Sequence, residues 1–323
     1  MTPPRAPAVS VLMTAFNRER YIGAAIESVL AQTFDDFELV IVDDASSDGT
    51  LDVARRYAAM DARVRVVAND RNLGDYPNRN HAASLARGRF LKYHDSDDLM
   101  YPHCLSTMAP ALDAEPRAAF AVSTGWAWPG GPCPMLLSPR LCYEREFLGP
   151  GLFMAGPASA LFRTDVFRAL GGFENHGVPS DFVFWLKACA RHSALLVPAD
   201  LFWYREHAGQ ELRGDRAERD RARAAGLAWQ ALHAPDCPLG TGTIARARRN
   251  YAFILIRAIW RDLRRGAFGL AVYRYRAAGL SMAQWLRYAR RPRRSSRAGT
   301  PLTPDGEFLI PRSLGWRADR VAP

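Results

Sequence analysis

Three carboxylates lie within four positions of the segment KYHDSDDLMYP, residues 92–102. Asp95, Asp97 and Asp98 follow a short apolar stretch and precede a proline. Like charges this close repel one another and raise each other's pKa. In proteins, Mg²⁺ and Mn²⁺ take one or two carboxylate oxygens and fill their other positions with phosphate and water. The run therefore suits a cation that carries a nucleotide diphosphate, and its alternative interpretation is a capped, solvated turn.

The elements that must position these carboxylates alternate between strand and helix over the first hundred residues. Short apolar runs predict strands at 9–17, 37–44, 63–69 and 89–95. Apolar spacing and capping-type residues predict helices at 21–32, 46–60 and 81–88, with a loop at 72–80 and a further helix from Pro102. This alternation predicts an α/β fold with a mostly parallel, Rossmann-like sheet and helices on both faces.

The second part of the chain continues the pattern less regularly. We predict a strand at 120–125, a turn-rich loop that could cover a pocket at 126–134, and strand, turn and helix at 156–173. A helix over 179–192 is predicted to begin near Ser180, and two short strands over 194–207 end at His207. Substrate specificity is expected to depend on the loops at 126–150 and 174–179.

Polar residues stand at the carboxyl ends of three predicted strands. The clusters are Thr14–Asn17, Asp43–Asp44 and Asp95–Asp98. Ligands of parallel sheets bind beyond these strand ends, so the three clusters are expected along one rim. Solvation explains one acidic turn, whereas three polar strand ends on one rim predict a site.

The bulk composition is that of a soluble globular protein, with 323 residues, 48% of them hydrophobic and 24% charged. The N-terminal stretch MTPPRAPAVS is too polar for a signal peptide. The apolar run at 251–256 is far shorter than the ~18 residues of a membrane span. Five cysteines without a CxxC pair predict reduced thiols. The expected location is cytoplasmic, with the inner face of the membrane as a further option.

The positive charge is concentrated near the C-terminus. The net charge is +10, yet residues 241–297 alone hold fifteen arginines and one acid, a balance of +14. Residues 298–323 carry three groups of each sign, which leaves −4 for the first 240 residues. Three parts are therefore predicted: an acidic body at 1–240, a basic amphipathic helical extension at 241–297, and a flexible tail at 298–323.

Arginines alternate with aromatic and aliphatic residues in 241–297, and three interpretations stay open. In the first, the helices pack on the body with their arginines in water. In the second, they lie on the anionic inner surface of a membrane, anchored by Trp260, Trp285 and the arginines. Nucleic-acid binding is the least favoured, because no recognition motif accompanies the charge.

A longer set of blocks adds a family resemblance. Residues 9–50, VSVLMTAFNRERYIGAAIESVLAQTFDDFELVIVDDASSDGT, are followed by NLG, NRN, ARGRFLKYHDSDD and Pro102. In order and spacing these blocks resemble glycosyltransferase family 2, from about residue 9 to about residue 207. The resemblance implies a GT-A fold and inverting transfer of a sugar from a nucleotide-diphosphate donor, with a UDP-sugar favoured. It also implies a Mn²⁺ or Mg²⁺ cofactor and a glycan or lipid-linked acceptor, in cell-surface polysaccharide or glycolipid synthesis.

The resemblance assigns nucleotide-binding roles to five positions. Thr14, Ala15 and Phe16 would border the nucleobase, with Phe16 in place of a common tyrosine. Asp43 would accept a hydrogen bond from the base. Arg79 would face the nucleotide.

The acidic segment becomes the Asp-x-Asp motif of the family. Asp95 would bind the nucleotide sugar, and Asp97 or Asp98 would hold the metal at the diphosphate. His207, in the stretch YREH, matches a histidine that approaches the metal or the diphosphate in some relatives.

Asp181, in the stretch PSDFVFWLKA, matches the catalytic base at the start of a late helix. Ser180 stands where an acidic residue often precedes that base. A helix N-terminus favours the ionised carboxylate, whereas apolar neighbours such as Phe182 and Trp185 raise its pKa by desolvation. The sequence leaves that balance open, and a plain helix cap is the alternative role.

Two rival functions remain at this stage. A nucleotidyltransferase also uses a parallel sheet and a metal held by acids, but TAFNRERY has no glycine-rich phosphate loop before Gly23. A non-catalytic sugar-binding module needs neither a metal-diphosphate motif nor a separate base.

Overall fold

The computed structural model describes residues 5–123, 133–149, 151–153, 156–198, 201–207, 215–289 and 307–308. Its first half contains β1 (Val9–Ala15), α1 (Ile22–Leu30), β2 (Phe37–Asp43), α2 (Thr50–Met60), β3 (Val64–Ala68), α3 (Asp75–Leu85), β4 (Phe90–Tyr93), β5 (Leu99–Met100), α4 (Cys104–Asp113) and β6 (Ala118–Ser123). The predicted alternation of strand and helix is confirmed.

The second half begins with β7 (Met135–Leu137), α5 (Pro139–Leu148), a 3₁₀ turn (Pro157–Ser159), β8 (Ala160–Arg163), α6 (Thr164–Ala169), α7 (Ser180–Arg191), β9 (Ser193–Val197) and β10 (Phe202–Trp203). It continues with α8 (Asp215–Ala231), α9 (Thr241–Arg264), α10 (Phe268–Ala278), α11 (Met282–Ala289) and β11 (Glu307–Phe308). Most of the predicted loop at 126–134, and of the predicted tail at 298–323, lies outside the described residues.

The central sheet has the strand order β11-β7-β9-β6-β8-β4-β1-β2-β3. Strands β4, β1, β2 and β3 run parallel, and β6 runs parallel to β9. Strand β8 lies between β4 and β6 and runs antiparallel to both. The carboxyl ends of β1, β2 and β4 therefore meet at one edge, where the predicted polar clusters stand.

Both faces of the sheet are covered, which explains why the strands read as continuous apolar runs rather than alternating ones. Leu12 and Val40 belong to one buried cluster, and Val11 and Leu39 belong to the other. Because successive side chains of a strand point to opposite faces, each strand contributes to both clusters. The carboxyl ends of the strands, where the polar clusters stand, are therefore supported by a packed and rigid sheet.

The predicted loop at 72–80 is wrong, because helix α3 begins at Asp75. Gly74 turns the chain with φ 86°, a conformation that favours glycine. Pro77 lies in the first turn of the helix, where its missing N–H costs nothing. Because of this early start, Arg79 lies inside the helix rather than on a loop. The helix also ends earlier than predicted, at Leu85.

The C-terminal helices form a lobe with its own apolar cluster. This cluster contains Trp229, Ala252, Leu255, Ile256, Ala278 and Leu280. A buried ion pair, in which Arg274 Nε donates to Asp262 Oδ2 at 2.7 Å, joins α10 to α9. Tyr251 of α9 packs edge-on against Phe147 of α5, with ring centroids 5.4 Å apart. The lobe is therefore packed on the sheet domain.

Candidate active site

The ends of β1 and β2 lie side by side, with Ala15 opposite Asp43 in register. Asp43 Oδ2 accepts a hydrogen bond from the Ser46 backbone N–H at 3.0 Å. Its Oδ1 is buried and has no hydrogen-bond partner among the described residues. Phe16 is 44% exposed. The strand ends thus offer an unpaired carboxylate oxygen and, one residue beyond Ala15, an exposed aromatic ring, two features that suit a nucleobase site.

The second acid of the VDD stretch has a different task. Asp44 Oδ1 accepts hydrogen bonds from Asn69 Nδ2 at 2.7 Å and from the Leu73 N–H at 2.8 Å, and its Oδ2 accepts one from the Gly74 N–H at 2.9 Å. Asp44 therefore fixes the chain that enters α3. The sequence places the two acids side by side and does not indicate that only Asp43 keeps an oxygen without a hydrogen-bond partner among the described residues.

Arg79 connects α3 to the acidic segment. Its Nε donates to Asp75 Oδ1 and its Nη2 to Asp95 Oδ1, both at 2.7 Å. Burial opposes ionisation of Asp95, but the charge and hydrogen bond of Arg79 outweigh it and lower the pKa of Asp95. Arg79 Nη1 is buried without a hydrogen-bond partner in the described part of the chain. One guanidinium donor therefore stays available at this edge.

Asp97 is contacted by two nitrogen-bearing side chains, those of Arg18 and His207, from distant parts of the chain. Arg18 Nε donates to Asp97 Oδ2 at 2.8 Å, and His207 Nε2 lies 2.9 Å from the same oxygen. The His207 ring stacks on Tyr21, with ring centroids 4.8 Å apart. The predicted metal ligands Asp97 and His207 are therefore brought together, and Arg18 joins them.

Asp98 lies on the other side of the same turn. Its Oδ1 accepts the Arg205 backbone N–H at 2.9 Å, and its Oδ2 is buried without a hydrogen-bond partner among the described residues. Burial first, and then the charges of Asp95 and Asp97, raise the pKa of Asp98 to about 7. The N–H and the charge of Arg205 oppose this shift without cancelling it.

These residues fit a divalent cation. An orphaned carboxylate oxygen on Asp98 adjoins the Asp97 carboxylate, and the His207 imidazole is a further donor that Mn²⁺ accepts. Within the described ranges, no three acidic, histidine or cysteine side chains already converge as a cage. Sites of this kind complete their coordination with substrate phosphates and water, so a preformed cage is not required.

Asp181 is the first-turn acid of α7, and its Oδ1 accepts the Phe182 N–H at 2.7 Å. Desolvation by the surrounding protein raises the pKa of Asp181 to about 7, against the opposing effects of the Phe182 N–H and the Arg79 charge. Desolvation therefore outweighs the stabilising effect of the helix N-terminus, a balance that the sequence left open. Arg79 donates to Asp95, and its charge also opposes the raised pKa of Asp181, so the two acids lie near the same guanidinium.

Ser180, which departs from the acidic pattern, holds the loop before α7. Its Oγ donates to the Gly177 carbonyl at 2.7 Å and accepts the His176 N–H at 2.8 Å. The side chain is buried, so it has no access to an acceptor. The substitution therefore leaves Asp181 as the accessible acid of this helix start.

Three residues of the site were missed by the sequence reasoning: Arg18, Tyr21 and Arg205. Arg205 Nε donates to the Asp97 carbonyl at 2.8 Å, and its guanidinium lies over the rings of Tyr21 at 5.3 Å and Trp203 at 4.8 Å. Arg18 and Tyr21 follow the polar end of β1 closely in sequence, and this position could have indicated that they belong to the site. Arg205 stands two residues before His207, which is a weaker indication.

Comparison with known proteins assigns the sequence to a family and the structure to a known fold. The family model for glycosyl transferase family 2 matches residues 10–171. The chain belongs to glycosyl transferase family 2, and its sheet with flanking helices is a GT-A fold, as predicted.

Individual relatives agree with this membership. The chain is 42% identical over 117 residues to the succinoglycan biosynthesis protein ExoO of Rhizobium meliloti, a stretch that covers 35% of this chain and 33% of that protein. The aligned stretches span 43%, 31% and 36% of the lengths of three Bacillus subtilis relatives.

Two solved structures share the fold at 20% sequence identity. S. aureus TarS 1–349 in complex with UDP-GlcNAc superposes with a TM-score of 0.58, over 75% of this chain and 71% of that one. The mannosyltransferase PcManGT from Pyrobaculum calidifontis, in complex with GDP-Man and Mn²⁺, superposes with a TM-score of 0.57 over 88% and 79%.

Proposed function

We propose that the chain is a metal-dependent inverting glycosyltransferase. It moves a sugar from a nucleotide-diphosphate donor, with a UDP-sugar favoured, to a hydroxyl of a glycan or lipid-linked acceptor in cell-surface polysaccharide or glycolipid synthesis. One observation carries the proposal. Arg79 donates to Asp95 of the acidic turn, and Tyr76, whose ring centroid lies 5.8 Å from the Arg79 guanidinium, donates to the Val178 carbonyl just before α7, so α3 holds the diphosphate-side and acceptor-side acids near each other. The nucleotide sugars bound by TarS and PcManGT support the donor class, and the name of ExoO supports the pathway class.

The donor would lie along the edge formed by β1, β2 and β4. Thr14, Ala15 and Phe16 would border the base, and the unpaired Oδ1 of Asp43 would accept its N–H. Asp95, oriented by Arg79, would reach the sugar nucleotide with its second oxygen. These contacts select a nucleotide by hydrogen bonding and stacking, and they involve no covalent intermediate.

Asp97, Asp98 and His207 would hold Mn²⁺ or Mg²⁺ at the diphosphate. Such an ion acts as a Lewis acid that stabilises negative charge on the departing diphosphate. Tyr21 keeps the His207 ring in place by stacking, and Arg205 holds the Asp97 carbonyl through its Nε and the Asp98 carboxylate through its backbone N–H. The protein therefore orients its ligands before the donor arrives.

Asp181 would act as the base toward the acceptor. As the acceptor oxygen forms a bond to the anomeric carbon, its proton passes to the Asp181 carboxylate. The bond from that carbon to the diphosphate oxygen breaks on the opposite face, and its electron pair leaves with the nucleotide. A pKa near 7 suits this role, because a base is most effective when its pKa is close to the working pH.

A thermal-shift panel tests the proposed donor class. The full chain is heated with UDP, GDP, ADP or CDP, each with and without Mn²⁺. One nucleotide, with UDP favoured, is expected to raise the melting temperature when Mn²⁺ is present, because a ligand at one hundred times its Kd stabilises the folded state by about 2.7 kcal/mol. Equal melting temperatures across the panel would contradict the proposal.

The outward side of the C-terminal helices supports an anionic membrane surface as a further partner. The basic apolar face of α9 consists of Arg246, Arg249, Ile254, Arg257, Trp260, Arg261 and Arg264, all exposed. Of the eleven exposed large hydrophobic side chains in the described residues, six lie between 254 and 286. No helix of the described part is long and apolar enough to cross a bilayer.

The charge of the basic apolar face indicates which partner it binds. Arginines mixed with exposed Trp260 and Ile254 match a bilayer interface that is negatively charged and apolar beneath its headgroups. We therefore propose docking on the cytoplasmic, anionic face of the membrane. A second protein copy would need acidic groups to complement this face.

Reversing two charges of the basic apolar face is expected to release the protein from vesicles. Each arginine near an anionic surface contributes about 1 kcal/mol, so Arg257→Glu with Arg264→Glu should weaken binding to phosphatidylglycerol vesicles more than about tenfold in a flotation assay. The matched control is Arg55→Glu with Arg56→Glu on exposed positions of α2. Flotation that is absent in the wild type, or equal in both variants, would contradict membrane docking.

A further inference from the structure

Arg18 is a positively charged residue of the candidate site, and the proposed reaction does not yet use its charge. It follows β1 and lies 23% exposed, against 14% for its partner Asp97. Its backbone N–H donates to Thr50 Oγ1 at 2.7 Å, and its Nη1 donates to the carbonyls of Phe16 and Asn17, both at 3.1 Å. The guanidinium is thus held between the end of the first strand and the acidic turn.

Asp97 meets this guanidinium with the oxygen that also faces His207. Arg18 Nε and His207 Nε2 lie 2.8 Å and 2.9 Å from Asp97 Oδ2. A divalent ion bound to Asp97 would lie close to the guanidinium, and like charges repel at that range. Arg18 and a metal ion therefore compete for one carboxylate.

We propose that Arg18 neutralises Asp97 while the donor is absent, and transfers to the donor's diphosphate when metal and nucleotide bind. This inference rests on the proposed function. A guanidinium forms paired hydrogen bonds with phosphate oxygens as readily as with a carboxylate, so the exchange conserves its bonding. Arg18 and Asp97 lie beyond the carboxyl ends of β1 and β4, where the diphosphate of the proposed donor would sit.

Charge balance gives Arg18 a use in the reaction. A sugar nucleotide carries two negative charges on its diphosphate, and cleavage of the anomeric bond adds a third to the departing nucleotide. A divalent cation leaves that third charge unmatched, and Arg18 supplies the missing positive charge. Arg79 is less suited to this task, because its charge is shared by two carboxylates, Asp75 and Asp95, whereas Arg18 pairs with Asp97.

The competition predicts opposite effects on two binding reactions. Without Arg18, Mn²⁺ alone should bind more tightly, because the guanidinium no longer occupies Asp97. UDP in the presence of Mn²⁺ should bind more weakly, because the diphosphate loses a partner. A residue that merely supported the loop would weaken both reactions.

Isothermal titration of the full chain measures both effects. Arg18→Met should tighten Mn²⁺ binding without nucleotide by roughly fivefold or more, the lower end of typical coupling between sites. It should weaken UDP binding at saturating Mn²⁺ by about tenfold or more, the contribution of a hydrogen bond to a charged group. Arg18→Lys, which retains a charge that reaches phosphate, should recover part of the UDP affinity.

Arg20→Met is the matched control, because Arg20 is exposed two positions away with its guanidinium 5.9 Å from the Tyr21 ring centroid. It should bind Mn²⁺ and UDP as the wild type does. Arg18→Met that equals Arg20→Met in both titrations, or that binds Mn²⁺ more weakly, overturns the inference. A wild type that binds no UDP with Mn²⁺ instead overturns the proposed function.

Discussion

Asp181→Asn is expected to lower kcat by about 10²- to 10⁴-fold, the usual contribution of a positioned base. The amide keeps the size of the side chain and can still accept the Phe182 N–H, so α7 should keep its start. The Kd of UDP should stay within about twofold, because the proposed mechanism assigns Asp181 to the acceptor rather than to the diphosphate. Transfer to acceptor and UDP titration are measured on the same preparation.

Asp165→Asn is the matched control for this substitution. Asp165 Oδ1 accepts the N–H of the next residue, Val166, at 2.9 Å, as Asp181 Oδ1 does with Phe182, but Asp165 is exposed at the start of α6. Its substitution should leave kcat unchanged. An Asp181→Asn enzyme that transfers sugar at the wild-type rate would remove Asp181 from the mechanism.

The pH profile reports the same carboxyl. Because the pKa of Asp181 is raised to about 7 by desolvation, the neutral acid dominates below that pH and cannot accept a proton. The wild-type kcat should therefore rise as the pH increases through 7 and then level off. Because the pKa of Asp98 is also raised to about 7, the profile is measured at saturating Mn²⁺, which favours the ionised form of a metal ligand, and the residual rate of Asp181→Asn should then lack this rise. A wild-type rate that is flat from pH 5 to 9 would contradict the assignment.

Asp97→Asn is expected to abolish the response of nucleotide binding to Mn²⁺. An amide is a weaker ligand for a hard cation than a carboxylate, and the loss of several kcal/mol of charge stabilisation corresponds to a decrease in kcat/KM of at least about 100-fold. The measurements are transfer and UDP titration, each with and without Mn²⁺. Both should become nearly independent of the metal.

The control for Asp97→Asn removes another aspartate that pairs with an arginine. Asp113 accepts a hydrogen bond from Arg89 Nη1 at 2.7 Å on the surface, so Asp113→Asn breaks a comparable ion pair away from the site. Surface pairs contribute little, so the melting temperature and the Mn²⁺ response should be those of the wild type. A normal Mn²⁺ response in Asp97→Asn would place the metal elsewhere.

The sequence predicts the frame of the site well because its signals are local. Apolar runs that end in polar residues predict the ends of β1, β2 and β4, and their parallel order then places Asp43 and Asp97 at one edge. The helix that begins near Ser180 was equally predictable. Family resemblance adds roles for these residues, which remain proposals until the variants are measured.

The remaining features depend on contacts between distant segments. The start of α3 is set by Asp44, about thirty positions upstream, which accepts the N–H groups of Leu73 and Gly74. The pKa of Asp181 depends on how far folding removes its carboxyl from water, which no local pattern encodes. The pairing of Arg18 with Asp97 spans 79 positions. Side-chain partners at such separations are fixed only by the folded chain.

The turn at 157–159 is anchored from inside the protein. Strand β8 returns against β4 with Leu161 opposite Lys92, so this turn reaches the carboxyl ends of the parallel strands from the opposite direction. Lys92 Nζ, buried in the core, donates to the Ala158 carbonyl at that turn. Replacement of Lys92 by an apolar side chain would leave that carbonyl without this donor. The shape of the rim therefore depends on a cation hidden beneath it, which the apolar pattern of the strand does not reveal.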